Sequence, residues 1–79
     1  MWVQQRDYVA FGALMSEARS RAGLSQKDLA GRLSKPQSFV SNLEAGQRRV
    51  DVLEFLRIAE ALDTDAIELF RRFVRKRRT

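Results

Sequence analysis

The 79-residue sequence contains no cysteine, no histidine and only one proline. Without cysteine there is no disulfide framework and no thiolate, and without histidine the commonest general base and metal ligand are missing. No apolar run approaches the roughly 20 residues of a membrane span, and no secretory signal peptide is recognisable. We therefore expect a soluble cytoplasmic protein made of one small domain over residues 1–79, with no metal, no cofactor and no catalytic residues.

The net charge of +5 suggests a nucleic-acid partner, but the positive charge is unevenly distributed. Six of the fifteen cations follow residue 70, which leaves nine cations against ten acids in the body of the domain. The excess lies in a basic tail, which either samples phosphates or is a disordered, solubilising end. Five other cations lie in or beside one central stretch, and this placement is more informative than the total: Lys27, Arg32, Lys35, Arg48 and Arg49.

The central stretch, residues 26–46, predicts two short helices with a tight break between them, because its apolar residues recur at helical spacing on both sides of Ser34. Ser25 is a suitable N-cap for the first of these helices, with Asp28 in the capping-box position. Pro36 suits the first turn of the second, where its missing N–H would have no partner. The second helix is expected over about residues 36–45, with Gly46 closing it.

One side of this second helix is apolar, and the other consists of small, uncharged residues: Gln37, Ser38, Ser41, Asn42 and Ala45. A helix that only faces water usually carries lysine and glutamate there. Amides and hydroxyls can exchange hydrogen bonds with base edges in a major groove without a charge to desolvate. The alternative is an ordinary solvated face, because serine and asparagine are common on surfaces.

Apolar spacing and capping residues predict three further helices. The first is expected from Asp7 to about Ala22, and the fourth begins after Asp51 with Val52 on its apolar stripe. The fifth is capped by Thr64.

Five helices without strand-like alternation predict an all-α fold, a compact five-helix bundle. In this arrangement residues 1–6 form a loose N-terminal arm and residues 75–79 form the basic tail.

Three segments, AGLSQKDLAGRL, PQSFVSNLEAGQRR and FLRIAEALD, carry a resemblance to a known family. Together, at these spacings, they resemble the helix-turn-helix domain of the Cro/phage-repressor (Xre) type over roughly residues 11–70. The resemblance implies a lambda-repressor-like DNA-binding domain in which the second and third helices form the motif. It also implies that the third helix enters the major groove of double-stranded operator DNA.

The resemblance assigns roles to individual residues. The base-reading positions are matched by Gln37, Ser38, Ser41 and Asn42, and glutamine and asparagine can pair bidentately with adenine. The phosphate-contacting positions are matched by Gln26, Lys27, Lys35, Arg48 and Arg49. For the two arginines the alternative is a solvated loop. Arg19 and Glu44 match a structural pair beneath the motif; the alternative is two separate exposed charges.

Three positions depart from the family pattern. Ser34 stands where the turn usually has glycine, so the turn is expected to have a different shape or to accept a strained backbone. Phe39 replaces a small polar residue and is either part of the core, which we favour, or a contact to a thymine methyl group. The recognition face carries no arginine, which disfavours a G-rich operator read by arginine.

These observations favour a small transcription regulator that binds DNA as a homodimer, with the fifth helix as the candidate interface through Ile67, Phe70, Phe73 and Val74. The alternative for that helix is that it closes its own core. A contact with RNA polymerase is compatible with this function. The rival function is a protein-interaction module on the same fold, such as an antitoxin or anti-activator that binds a partner protein.

Overall fold

The computed structural model describes residues 4–78, and within this range it contains five helices and no strand. They are α1 (Gln5–Arg21), α2 (Gln26–Leu33), α3 (Gln37–Glu44), α4 (Val52–Ala61) and α5 (Ala66–Arg78). The predicted all-α five-helix bundle is confirmed. None of the helices in residues 4–78 is long and apolar enough to cross a membrane.

The core is built from one apolar stripe of each helix, because the side chains at steps of three and four lie on one side of a helix. Its fully buried large side chains are Met15, Leu29, Val40, Leu43, Ile58, Leu62 and Leu69. Val52, which its spacing places on the apolar stripe of α4, lies outside this core. It is the first residue of the helix and is 74% exposed.

The first helix begins earlier than predicted. Gln4 is its N-cap, so Gln5 and Arg6 belong to α1 rather than to a loose arm, and Asp7 lies in the first turn. The Asp7 carboxylate instead pairs with Arg77 of α5 at 3.1 Å. This hydrogen-bonded guanidinium lowers the pKa of Asp7. Residues 1–3 of the predicted arm lie outside the described residues.

Helix caps fix the start of three helices. Ser25 and Asp28 form the predicted capping box of α2, with Ser25 Oγ accepting from the Asp28 N–H and Asp28 Oδ2 accepting from the Ser25 N–H, both at 3.0 Å. Asp51 and Glu54 do the same at α4. At α5 the predicted Thr64 cap is wrong. The Asp65 carboxylate accepts from the N–H groups two and three residues on, whereas the Thr64 hydroxyl donates to a carbonyl.

The turn between α2 and α3 keeps the left-handed conformation that the family usually gives to glycine. Ser34 has φ 56° and ψ 43° and sits at the end of α2. The following N–H, of Lys35, donates to the Ala30 carbonyl at 3.0 Å, which closes the last turn of the helix. The bond requires this backbone, so the serine adopts a conformation that costs a non-glycine residue about 1 kcal/mol. The alternative of a differently shaped turn is wrong.

Helix α1 lies between α3 and α5. On one side, the backbone of Gly12 approaches the Leu43 and Glu44 carbonyls so closely that a Cβ there would lie 2.6 and 2.4 Å from their oxygens. On the other side, the Phe11 ring packs edge-on against Phe73 of α5, with 5.3 Å between centroids. The backbone contact at Gly12 therefore sets the position of α3 relative to α1, and the ring contact at Phe11 sets that of α5.

The predicted basic tail is largely the last turn of α5, because residues 75–78 are helical. Lys76 pairs with Glu17 of α1 at 2.9 Å, and Arg77 pairs with Asp7. Each carboxylate belongs to the middle or the start of α1, so the end of α5 is held against that helix and is not a disordered extension. The lysine also lowers the pKa of Glu17.

Candidate nucleic-acid interface

Helices α2 and α3 pack against each other through apolar faces. The opposite face of α3 is polar. Val40 and Leu43 of α3 are buried against Leu29 and Leu33 of α2. The uncharged strip on the other side of α3 is solvent-facing in three of its polar positions: Gln37, Ser38 and Asn42 are exposed. Ser41 is half-buried, and its hydroxyl donates to the Ser38 carbonyl at 3.3 Å. The strip is therefore available for contacts, and Ser41 is its least accessible member.

A chain of hydrogen bonds connects this strip to the interior. Gln37 Nε2 donates to Gln26 Oε1 at 3.4 Å, and Gln26 Nε2 donates to Glu44 Oε1 at 3.0 Å. Gln26 is the first residue of α2 and Gln37 the first residue of α3, so the N-termini of both helices are joined. Each amide retains one N–H and at least one oxygen lone pair for a ligand. The structure thus brings together Gln26, predicted to contact a phosphate, and Gln37, predicted to contact a base.

The Glu44 end of this chain is an ion pair. Arg19 Nε and Nη2 donate to the two Glu44 oxygens at 2.6 and 3.1 Å, and Arg19 Nη1 donates to the Leu24 carbonyl at 2.8 Å. The arginine side chain is 16% exposed and the glutamate 7%. The Glu44 hydrogen bonds raise the pKa of Arg19, so the guanidinium stays charged. The alternative, in which Arg19 and Glu44 are two separate exposed charges, is wrong.

The cations assigned to phosphate contacts differ in their exposure to solvent. Lys27, Lys35 and Arg49 are exposed around the motif, Lys27 on α2 and Arg49 on the α3–α4 loop. Arg48 is half-buried and pairs through Nη2 with Glu54, the capping-box residue of α4. Its guanidinium also lies over the Phe39 ring, 4.3 Å from the centroid. Arg48 therefore joins α3 to the start of α4 rather than extending into solvent.

Phe39 is half-buried and packs against the core, as favoured from its spacing. Lys35 Nζ lies 5.7 Å from the centroid of the same ring, so Lys35 and Arg48 both contact one aromatic side chain. The Arg48–Glu54 pair was missed from the sequence. The available signal was the spacing of six residues between a loop arginine and a capping glutamate, which does not by itself place two side chains in contact.

Arg32, the fifth cation of the central stretch, has a structural contact. Its Nη1 donates to the Ala61 carbonyl at 2.8 Å and lies 3.3 Å from the Asp63 carboxylate. It thereby occupies one of the carbonyls that the end of α4 leaves without a helical partner.

Two short helices joined by a turn, as α2 and α3 are, are also found in known proteins to which this chain is similar. The family model of the helix-turn-helix domain matches residues 10–73. The chain belongs to this helix-turn-helix family. The family is a regulatory, DNA-binding one, and α3 occupies the position of its recognition helix. The resemblance to the Xre type is confirmed by the solved structures described next.

Two solved structures are similar in both sequence and fold. The restriction-modification controller protein C.AhdI from Aeromonas hydrophila is 41% identical, with a TM-score of 0.75 over 81% of this chain and 97% of that one. An XRE-family like protein from Pseudomonas syringae pv. tomato is 46% identical, with a TM-score of 0.77 over 86% and 83%. Both cover most of the helix-turn-helix chain.

A third structure is similar in fold alone. The controller protein C.Esp1396I, solved as a tetramer with its natural 35 base-pair operator, has a TM-score of 0.80 at 17% identity over 89% of this chain and 92% of that one. No curated protein sequence matches the helix-turn-helix chain significantly.

Proposed function

We propose that this protein, a DNA-binding transcription regulator, is a homodimer that reads a palindromic operator through α3. The observation that carries the proposal is the exposed, uncharged strip of Gln37, Ser38 and Asn42, presented on a helix whose base is fixed by the Arg19–Glu44 pair. The identity of 41% with a restriction-modification controller and the fold shared with a controller bound to its operator support it. The chain is then a regulator that acts by occupancy, not an enzyme.

The proposed base contacts follow from the hydrogen bonds already made. Gln37 uses one N–H on Gln26, which leaves its second N–H and its oxygen for the N7 and N6 groups of an adenine. Asn42 and Ser38 add contacts to neighbouring base pairs, with Ser41 in a lesser role. Gln26 keeps one N–H for a phosphate at the N-terminus of α2, where the helix dipole favours an anion.

The proposed phosphate contacts flank the strip. Lys27, Lys35 and Arg49 supply exposed charge, which contributes affinity that falls with salt and carries no sequence information. Arg48 contributes less than predicted from the sequence, because Glu54 already neutralises its guanidinium.

The proposed dimer surface combines α5 with α4. Among residues 4–78, six large apolar side chains are exposed, and five of them lie on these two helices: Val52, Leu53, Leu56, Ile67 and Phe70. All of them except Leu53, which is exposed beside it on α4, line an apolar groove of about 580 Å³ between α1, α4 and α5. Two of the predicted interface residues, Ile67 and Phe70, belong to this surface at 67% and 54% exposure. Phe73 and Val74 are half-buried, so they contribute at its edge only.

A second copy suits this surface because a twofold axis through it can place two recognition helices about 34 Å apart, one turn of B-DNA. The domain measures 32 × 23 × 21 Å, so the two copies need only be adjacent to reach that separation. Without a second copy, this contiguous apolar surface would remain exposed to water.

Changing Leu53 and Ile67 together to asparagine is expected to weaken dimerisation by at least about 100-fold, since burying each side chain contributes about 1.5 kcal/mol or more and each occurs twice in the dimer. Sedimentation equilibrium measures the dissociation constant. Both residues are exposed in the single chain, so folding should be unaffected. The matched control is Val9→Asn, an exposed apolar residue of α1. An equal loss in the control, or an intact double variant, places the interface elsewhere.

Gln37→Ala is expected to weaken binding to the preferred operator by about 1–3 kcal/mol and to relax the base preference at one position in each half-site. The measurement is the affinity for the operator and for its three single-base variants at that position. Gln4→Ala, which removes an exposed amide at the N-cap of α1, is the control. A uniform loss on all sequences would exclude a base-reading role for Gln37.

The test of the proposed function as a whole is selection of binding sites from random duplex DNA at low salt. We expect a palindrome whose half-site centres are separated by about 10 base pairs and which contains adenine in each half. Recovery of no preferred sequence, together with capture of a protein that the Gln37→Ala variant still binds, would favour the rival protein-interaction module.

A further inference from the structure

Helix α5 carries the whole positive excess of the chain. Residues 66–78 contain six cations and one carboxylate, which gives a net charge of +5, equal to the net charge of the full sequence. The remainder of the chain is neutral, including the helix pair that faces DNA in the proposed function. Because α5 is not part of that pair, its charge needs a separate explanation.

Three arginines of α5 form a stripe along its outer side. Arg71, Arg75 and Arg78 are spaced four and three residues apart, which places them within about 60° of one another on the helix and over about 10.5 Å of its length. All three are exposed, and the stripe lies on the side of α5 opposite the buried Leu69. Arg71 is 3.5 Å from Glu68 of its own helix, but both are exposed, so solvent screens that pair.

The other cations of α5 face different surroundings. Lys76 and Arg77 are paired with Glu17 and Asp7 of α1, and Arg72 is half-buried. Two of the six charges are therefore already compensated within the fold, and the outward stripe is not. The α1 contacts also hold the stripe in place, because they fix the rotation of the last turn of α5.

The stripe and the recognition helix lie on different sides of α1. Gly12 of α1 touches α3, whereas Phe11 and Asp7 touch α5. A duplex held by α3 is therefore separated from the stripe by a helix, whose diameter with side chains is about 10 Å. The stripe therefore lies off the surface that α3 presents to DNA.

We propose that Arg71, Arg75 and Arg78 bind the phosphate backbone of a second DNA segment while α3 holds the operator. A duplex presents about one negative charge per 1.7 Å, so a 10.5 Å stripe faces several phosphates at once. Arginine also suits phosphate because its planar fork can donate two parallel hydrogen bonds. Ile67, one turn before Arg71, borders the stripe but belongs to the proposed dimer surface. In the dimer the stripe therefore offers charge without an apolar anchor of the kind that dominates protein interfaces, which favours a backbone over an acidic protein. The bound regulator would thereby join two DNA segments.

The proposal rests on the proposed function for the site that α3 occupies, and it is tested by capture. An operator duplex from the selection is immobilised, saturated with the full-length protein and washed, and a labelled 30-base-pair duplex of random sequence is then added at low salt. The wild-type protein is expected to retain the second duplex. The triple variant Arg71→Gln, Arg75→Gln, Arg78→Gln is expected to retain about tenfold less while its operator affinity stays within about twofold of wild type.

The control removes the same charge from other exposed positions, with Arg6→Gln, Arg21→Gln and Arg57→Gln. Retention by the control at the wild-type level supports the stripe, and an equal loss overturns it in favour of a general charge effect. No retention by the wild-type protein, or retention of soluble poly-glutamate instead of duplex, also overturns it.

If the selection yields no operator, the proposed function fails first, and the stripe is tested on the random duplex alone. The slope of log affinity against log salt should then be smaller by about 3 in the triple variant than in the control. Equal slopes would overturn the stripe.

Discussion

Replacing Gly12 with alanine is expected to destabilise the domain by about 3 kcal/mol, a large part of the stability of a chain this small. The added Cβ would lie 2.4 Å from the Glu44 carbonyl oxygen and 2.6 Å from that of Leu43. Both atoms belong to the backbone of α3, so no side chain can rotate away. The overlap is relieved only if α3 moves off α1, which strains the Arg19–Glu44 pair between the same two helices.

The matched control is Gly31→Ala. Gly31 lies within α2, and a Cβ there meets no atom within 4 Å, so alanine should stabilise the helix by up to about 1 kcal/mol. Urea unfolding of the two variants, followed by circular dichroism, measures both effects. The Gly12 variant should also bind the operator more weakly than its remaining folded fraction accounts for. Equal stabilities would mean that the α1–α3 contact is looser than the structure shows.

The sequence predicts the features of this fold that depend on neighbouring residues. Ser25 with Asp28, and Asp51 with Glu54, form capping boxes because a hydroxyl or carboxylate three residues from its partner meets the same helix turn in any context. The α2–α3 pair follows from apolar spacing around Pro36, and its identity follows from a motif that spans most of the chain. Local chemistry is sufficient for these features.

The features that depend on packing between distant helices were not predictable. Apolar spacing put Val52 in the core, yet it is the first residue of α4 and is 74% exposed at the groove between α1, α4 and α5. The last residues of α5 look disordered by composition, but Glu17 and Asp7, some 60 or more positions earlier, pair with them. Gly12 gives no local signal either, because a glycine in a helix is visible in the sequence but the backbone that touches it is not.

In the candidate site, too, some features follow from neighbouring residues and others from packing between helices. The exposed strip on α3 follows from the helical wheel, because one face of a helix is set by spacing alone. The Gln26–Gln37 contact and the Arg48–Glu54 pair depend on how α2, α3 and α4 meet. A cation beside a DNA-binding motif is therefore only a candidate for phosphate until its intramolecular partners are known.

Glu44→Gln is the second substitution for which we expect a large effect, a loss of about 3 kcal/mol in the free energy of unfolding. The Glu44 carboxylate is nearly inaccessible and accepts three hydrogen bonds, two from Arg19 and one from Gln26. An amide has one oxygen for these donors and turns its own N–H groups towards the guanidinium. The arginine charge, itself largely shielded from water, is then left without a counter-charge.

Two further variants separate the ion pair from general effects of the substitution. Glu60→Gln changes an exposed glutamate whose nearest contact with Arg57 is 3.9 Å, and it should alter stability by no more than about 0.5 kcal/mol. The double variant Arg19→Met, Glu44→Leu removes both charges and should recover most of the loss, because no uncompensated charge remains. Chemical unfolding of the double variant and of the single variants Arg19→Met and Glu44→Leu gives the coupling energy of the pair.

Operator binding distinguishes what the pair does for stability from what it does for recognition. In the apolar double variant Gln26 loses the acceptor for its Nε2 group, and Gln37 loses a fixed neighbour. The variant should therefore fold but discriminate less between adenine and other bases at the Gln37 position, since the amide is no longer held in one orientation. Full discrimination in a stable double variant would show that the strip on α3 needs only its helix, and that Glu44 serves folding alone.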